Sequence, residues 1–229
     1  MKITVLTLFP EFFTTILSSS ILGRAQKKGL VEYELINLRD FGAGRHKTVD
    51  DRPYGGGTGM VLKADILTKA WQATIGVKEE TCTILMSASG SLFNDSKARQ
   101  LSRIKQLIII CGHYEGIDQR FIDKYVDEEI SIGDFVLTGG EIPALAIIDA
   151  VTRQIPSVLK DQATAEESFA QGLLEYPQYT RPEIFEDIKV PEVLLSGNHL
   201  EIALWRKRQS LEKTSQKRPD LLKKISQKD

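Results

Sequence analysis

Residues 107–111, Leu-Ile-Ile-Ile-Cys, form an unbroken apolar run between Lys105-Gln106 and Gly112-His113. A strand with no polar positions has no side to offer water, so it must be buried on both faces. Such strands belong to parallel sheets covered by helices, and the surrounding segments alternate accordingly. Further strands are expected at residues 3–8, 31–38, 81–86 and 128–132. A helix is expected from Pro10-Glu11, where a proline and an acid suit a first turn. It carries Phe12, Phe13, Ile16 and Leu17 at helical spacing, with Gly23 or Gly29 expected to end it. Others are expected at residues 63–75, 94–101 with Asn94 as N-cap, 118–125, and 141–153 with Pro143 in the first turn. The fold class is therefore α/β with a mainly parallel sheet.

The pattern changes after Arg153. Residues 160–171 are polar and aperiodic. Beyond them, Asn198 and Glu201 make a capping box that opens a helix to about Gln216, and Pro219 opens another. The expected organisation is a domain over 1–159, a mobile linker over 160–173 and a small helical domain over 174–229. The longest apolar runs fall far short of the roughly 18 residues that cross a bilayer, so no membrane partner is expected. MKITVLTLFPEFF lacks a small-residue cleavage site and reads as a buried strand. Cys82 and Cys111 each sit in an apolar run, which suits buried thiols in a reducing cytoplasm. The formal net charge of −1 hides an asymmetry: residues 201–229 hold nine Lys/Arg against four Asp/Glu. A basic tail on an acidic body suits an anionic partner, nucleic acid first, although a solvated helix face has the same composition.

Three glycine-bearing segments could hold a ligand. Residues 55–59, Gly-Gly-Gly-Thr-Gly, fail as a phosphate loop because no Lys-Ser/Thr follows the last glycine. They fail as a dinucleotide fingerprint because the strand-to-helix spacing is wrong. Long loops inside domains are usually functional or disordered, and the neighbouring Arg45, His46, Lys47, Asp50, Asp51 and Arg52 suit a large polar substrate. Residues 112–116 follow the buried strand, at the strand end where parallel sheets bind ligands. Residues 131–141 follow another strand. There Ile132, Phe135, Val136 and Leu137 can line a pocket while backbone groups read a flat polar ligand. Three histidines give no metal-ligand spacing, so His113 reads as a turn residue and no metal site is expected.

GHYEGID, SIGDFVLTGGE, IDAVTRQIP and LLEYPQYTRP, with the earlier DDRPYGGGTGM, resemble bacterial tRNA (guanine-N1)-methyltransferase of the knotted SPOUT superfamily. The resemblance runs from the first strand to the final helices. It implies a deep C-terminal trefoil knot in the α/β domain, a homodimer, and S-adenosylmethionine as methyl donor. It also implies methylation of N1 of the guanine just 3′ of the anticodon. By resemblance the cofactor contacts are Ser87, Ala88, Gly112, Glu115, Ile132, Gly133, Asp134, Phe135, Val136, Leu137, Gly139 and Gly140. Ala88, His113 and Phe135 stand where the family usually has proline, arginine and tyrosine.

Guanine N1 carries a proton at neutral pH, so a carboxylate acting as general base is the simplest way to make it nucleophilic. The family's aspartate before Ser-Phe corresponds to Glu167, with Glu166 beside it. Arg153 matches a family arginine that contacts substrate oxygen or phosphate. Glu175, Arg181, Arg206 and Lys207 are the implied substrate contacts, the last two on the basic C-terminal helices facing the anticodon region. The sulfonium is already activated, so no metal is chemically required, and Mg²⁺ assistance is left open by the sequence. Competing readings are a SPOUT enzyme acting on another RNA and an RNA-binding protein without turnover.

Overall fold

A computed structural model describes residues 1–160, 164 and 167–226. The chain divides into two compact units, Met1–Leu159 and Lys160–Asp229. The first is built on a five-stranded sheet in the order β2-β1-β6-β5-β7. Its strands are β1 (Lys2–Thr7), β2 (Glu32–Asn37), β5 (Thr81–Leu92), β6 (Gln106–Cys111) and β7 (Glu128–Ser131). Every pairing is parallel. Central β6 is buried at all six positions, as its unbroken apolar run requires.

The pleat of β6 sends alternate residues into two separate cores. Leu107, Ile109 and Cys111 join one packed beneath α1 (Glu11–Leu17), α2 (Ser20–Lys27), α4 (Asp95–Leu101) and α6 (Glu141–Thr152). Ile108 and Ile110 join the other, beneath α3 (Ala64–Thr74) and α5 (Gln119–Tyr125). Asn94 Oδ1 accepts from the Lys97 N–H at 3.0 Å, the expected cap of α4.

Three expectations need correction. Gly23 does not end the first helix: the chain breaks at Ser18-Ser19, and Gly23 lies inside α2. A β-carbon on Gly23 would fall 2.1 Å from the Ser18 carbonyl oxygen, so the glycine is there for a close helix crossing. Strand β5 runs past Met86 to Leu92, because the chain loops out between Met86 and Ser91 and then pairs with β7 again at Ile130. The segment before Met60 is tied by a short antiparallel pair, β3 (Asp50–Asp51) with β4 (Val61–Leu62).

Burial pushes the Cys82 thiol up to about 11, helped by Asp127 and Glu128. Fully buried Cys111 is raised well above the ordinary thiol range by burial and then by Glu141. The thiolate is the reactive form. At pH 7.5 a thiol at about 11 holds roughly 300-fold less thiolate than one near 8.5. Iodoacetamide at that pH should leave both cysteines unlabelled in the native protein and label both in denaturant, read by intact mass. Fast native labelling would contradict this burial.

The second unit contains a hairpin of β8 (Ile184–Phe185) and β9 (Ile188–Lys189), then α7 (Glu192–Leu195), α8 (His199–Lys217) and α9 (Pro219–Ser226). The hairpin is absent from the sequence reading, which expected helices alone. Asn198 Oδ1 accepts from the Glu201 N–H at 3.4 Å at the start of α8. Near the other end, Thr214 Oγ1 accepts from the Leu174 N–H at 2.9 Å and Lys213 Nζ donates to the Glu175 carbonyl at 2.9 Å. No helix among the described residues is long and apolar enough to cross a membrane.

Candidate active site

After β6 the chain passes through α5 and crosses β5 to pair on its far edge as β7. The carboxyl ends of β5, β6 and β7 therefore converge, and the segments leaving them enclose a cavity of about 530 Å³. Its walls are residues 85–89, 112–117, 129–133 and 135–140. A volume in this range suits a small organic ligand.

The loops are locked to one another through backbone. The Gly140 N–H donates to the Gly112 carbonyl at 2.9 Å, and His113 bridges Gly139. A β-carbon on Gly140 would lie 2.7 Å from Cys111 Cα and 2.9 Å from Gly112 N, so only glycine permits this approach. Below it Glu141 is buried, with 4% exposure, and Oε1 accepts from Thr7 Oγ1 at 2.7 Å. Thr7 Oγ1 in turn accepts from the Phe9 N–H at 2.9 Å. The first strand thus anchors the end of the wall formed by residues 135–140. His113, itself part of the lining, packs edge-on against Phe9 with ring centroids 5.2 Å apart, and its buried Nδ1 has no hydrogen-bond partner among the described residues. On the outer side, the Glu115 N–H donates to the Met60 carbonyl and the Leu62 N–H to the Gly116 carbonyl, both at 3.0 Å.

A family model for tRNA (Guanine-1)-methyltransferase TrmD matches residues 1–224. The tRNA (guanine-N(1)-)-methyltransferase of Carboxydothermus hydrogenoformans is 57% identical over 97% of this chain and 88% of its own length. That of Ruminiclostridium cellulolyticum is 52% identical over 100% and 99% respectively, and that of Dictyoglomus turgidum 54% over 99% and 91%. The chain belongs to the TrmD family.

The residues that family resemblance implies fall in three places. Ser87, Ala88, Gly112, Glu115, Ile132, Gly133, Phe135, Val136, Leu137, Gly139 and Gly140 all line the cavity; Asp134 does not. Phe135 and Val136 are more than half exposed, so these two side chains line the cavity from its open side. Glu129, Thr138 and Pro143, which were not among the expected cofactor contacts, also line it. The sequence reading did not place Glu141 beneath the wall, since its Thr7 partner is 134 positions away.

Arg153, half-buried, is the C-cap residue of α6. In the second unit, Glu167 joins Leu173, Tyr176, Arg206 and Lys207 around a separate cavity of about 280 Å³. The Arg206 guanidinium lies 4.8 Å from the Tyr176 ring centroid, and its Nε is buried without a hydrogen-bond partner. Lys207 is exposed. Glu175 Oε1 accepts from Gln178 Nε2 at 2.5 Å, and its backbone N–H donates to Ser168 Oγ at 3.0 Å. Arg181 is exposed. Glu166, the neighbour of Glu167, lies outside the described residues, as do several positions of the 160–173 segment.

Proposed function

We propose that this chain transfers a methyl group from S-adenosylmethionine to N1 of the guanine just 3′ of the anticodon in tRNA. The observation that carries the reading is the backbone-lined cavity at three converging strand ends in a chain of the TrmD family. Its residues fit the methyl donor. Apolar Leu85, Ile132 and Leu137 offer a surface for a purine, and the backbone of the loops suits its polar edge. Glu115 and Glu129 place carboxylates in the lining of a site for a cationic sulfonium and ammonium. Bound S-adenosylmethionine supplies a methyl carbon on a leaving group that departs as a neutral thioether.

In this reading Glu167 accepts the N1 proton, which frees the nitrogen lone pair for attack. Arg153 stabilises the charge that develops on guanine O6. Glu175 and Arg181 orient the substrate, and no Lewis acid is required. The contacts assigned to the cofactor include Asp134, which lies between two lining residues, Gly133 and Phe135. The fold carries the trefoil knot, and the working form is a cytoplasmic homodimer. Exposed Phe12 and Ile16 on α1 and Ile142 on α6 supply apolar surface for a second copy.

The test is methyl transfer from labelled S-adenosylmethionine to tRNA, followed by nucleoside analysis. The expected product is 1-methylguanosine. Binding of tRNA without any methylated nucleoside would replace the enzyme with a binder, and a methyl group on another atom would overturn the assignment.

Arg206 and Lys207 divide the work of holding RNA. Stacked on Tyr176, Arg206 is half-buried, whereas Lys207 reaches solvent. Lys207→Glu should therefore weaken tRNA binding and flatten its dependence on salt by about one phosphate contact. Its melting temperature should stay unchanged. Arg206→Glu should lower both affinity and melting temperature, as shown by binding isotherms across a salt series and a thermal melt. An unaltered salt slope in Lys207→Glu would remove that residue from the interface.

A further inference from the structure

Tyr54 is 99% exposed. A large aromatic ring left wholly in water, at the tip of a well-anchored loop, signals a missing partner. The tip is kept bare by its own sequence. Gly55, Gly56 and Gly57 have positive φ, and a β-carbon on any of them would meet nothing within 4 Å. No other part of the described chain packs around the tip at these positions. The base of the loop is fixed by β3 pairing with β4 and by the bonds from Glu115 to Met60 and from Leu62 to Gly116. A β-carbon on Gly59, which has φ +88°, would overlap the Glu115 side chain at 2.4 Å. The exposed ring is thus carried by a strap seated directly on a wall of the cofactor cavity.

The charges beside the ring select the partner. Lys47 is paired with Asp40 at 3.0 Å, and Asp51 Oδ1 is taken by the Arg52 backbone N–H at 2.8 Å. Arg45 and Arg52 are exposed and form no ion pair among the described residues. Arg52, two positions before the ring, and Arg45, on the turn between Ala43 and Thr48, offer guanidinium groups suited to a phosphate backbone, and the bare phenol ring suits the face of an unstacked base. RNA loops are recognised through that combination.

We propose that Tyr54 is a stacking platform for an unpaired base of the RNA substrate, with Arg45 and Arg52 holding the adjoining phosphates. This rests on the tRNA reading above and adds to it a contact outside the cavity and outside the basic C-terminal helices. Through Gly59 and Met60, a base seated on Tyr54 bears on the segment that carries Glu115.

The test compares tRNA binding and methyl transfer in wild type, Tyr54→Ala, Tyr54→Leu, Tyr54→Phe and Tyr54→Trp. Removing one aromatic stacking partner should raise the tRNA Kd about 5- to 150-fold in the Ala and Leu variants. Phe and Trp should restore affinity, since they keep the ring face. Affinity for S-adenosylmethionine and melting temperature should not move, because the side chain touches no core. A tRNA with 2-aminopurine at an unpaired position of the anticodon loop should lose fluorescence on binding wild type and Tyr54→Phe, and keep it with Tyr54→Ala. Wild-type tRNA binding that persists unchanged in Tyr54→Ala would overturn this proposal alone. Failure of the wild type to bind tRNA would sink the parent reading and this one with it. A change of oligomeric state in Tyr54→Ala, measured by sedimentation, would show that a second copy of the chain covers the ring, and would also overturn it.

Discussion

Single-turnover methyl transfer by Glu167→Gln is expected to be slower by about 10²- to 10⁴-fold, the range that a positioned general base contributes. The amide keeps the shape of the side chain and loses the ability to take the N1 proton. Affinity for S-adenosylmethionine should be unchanged, because the cavity that fits it is lined entirely by residues of the first unit. Affinity for tRNA should change little. Rapid-quench measurement at saturating cofactor and tRNA separates the chemical step from binding. Glu167→Asp adds a second discriminant: it restores the carboxylate one methylene shorter, as the family's usual residue has it. Recovery of most of the rate would identify the carboxylate as the working group. Unchanged transfer in Glu167→Gln would move the base elsewhere and leave Glu167 as part of the cavity it shares with Tyr176 and Arg206.

Gly140→Ala should damage the candidate site far more than one added methyl group suggests. The added carbon meets backbone atoms of Cys111 and Gly112, and backbone has no rotamer with which to move aside. Overpacking of this kind costs about 1–3 kcal/mol. In a chain of this size that corresponds to a fall of roughly 2–12 °C in melting temperature. The larger consequence is local. Relief of the overlap pushes residues 139–140 away from Gly112, breaking the 2.9 Å bond between the two loops and opening the wall. The Kd for S-adenosylmethionine should then rise at least about tenfold, the factor that goes with 1.4 kcal/mol. Calorimetric titration beside a thermal melt measures both. Wild-type affinity in a folded Gly140→Ala protein would mean that loop closure does not shape the site.

What could be read from the residues was whatever a short window contains. The run at residues 107–111 announced a doubly buried strand, and β6 is buried throughout. Asn94 and Asn198 announced helix starts, and both side chains accept the capping bond. Gly23 misled because a glycine in a helix has two physical meanings, an end or a close approach. Which one applies depends on Ser18 arriving from the preceding helix. The β8–β9 hairpin escaped notice because its turn is made by Glu186 and Asp187 at φ 48° and 66°, where Gly or Asn is the usual signal. The continuation of β5 was hidden by the Ser-Ala-Ser-Gly stretch, which reads as a loop and does loop out before pairing resumes. The bonds that brace the candidate site join Thr7 to Glu141 and Gly112 to Gly140, positions no local pattern connects. Motif resemblance supplied the walls of the cavity, and only the fold supplied what stands behind them.

The position of β1 bears on how the protein is made. The earliest strand of this sequence is an interior strand, bounded by β2 on one side and β6 on the other. Its second neighbour begins at Gln106, and its Thr7 hydroxyl finds Glu141 only after 134 further positions. Parallel pairings across such distances pay loop-closure entropy before they return any contact energy, which makes them slow to form. A nascent chain must therefore carry an apolar ribbon without its final neighbour while some hundred residues leave the ribosome. The cavity closes only once the start of α6 is in place, because its lining runs on to Pro143 and Glu141 braces it through Thr7. Closure of the cavity thus marks assembly of the sheet as far as the start of α6.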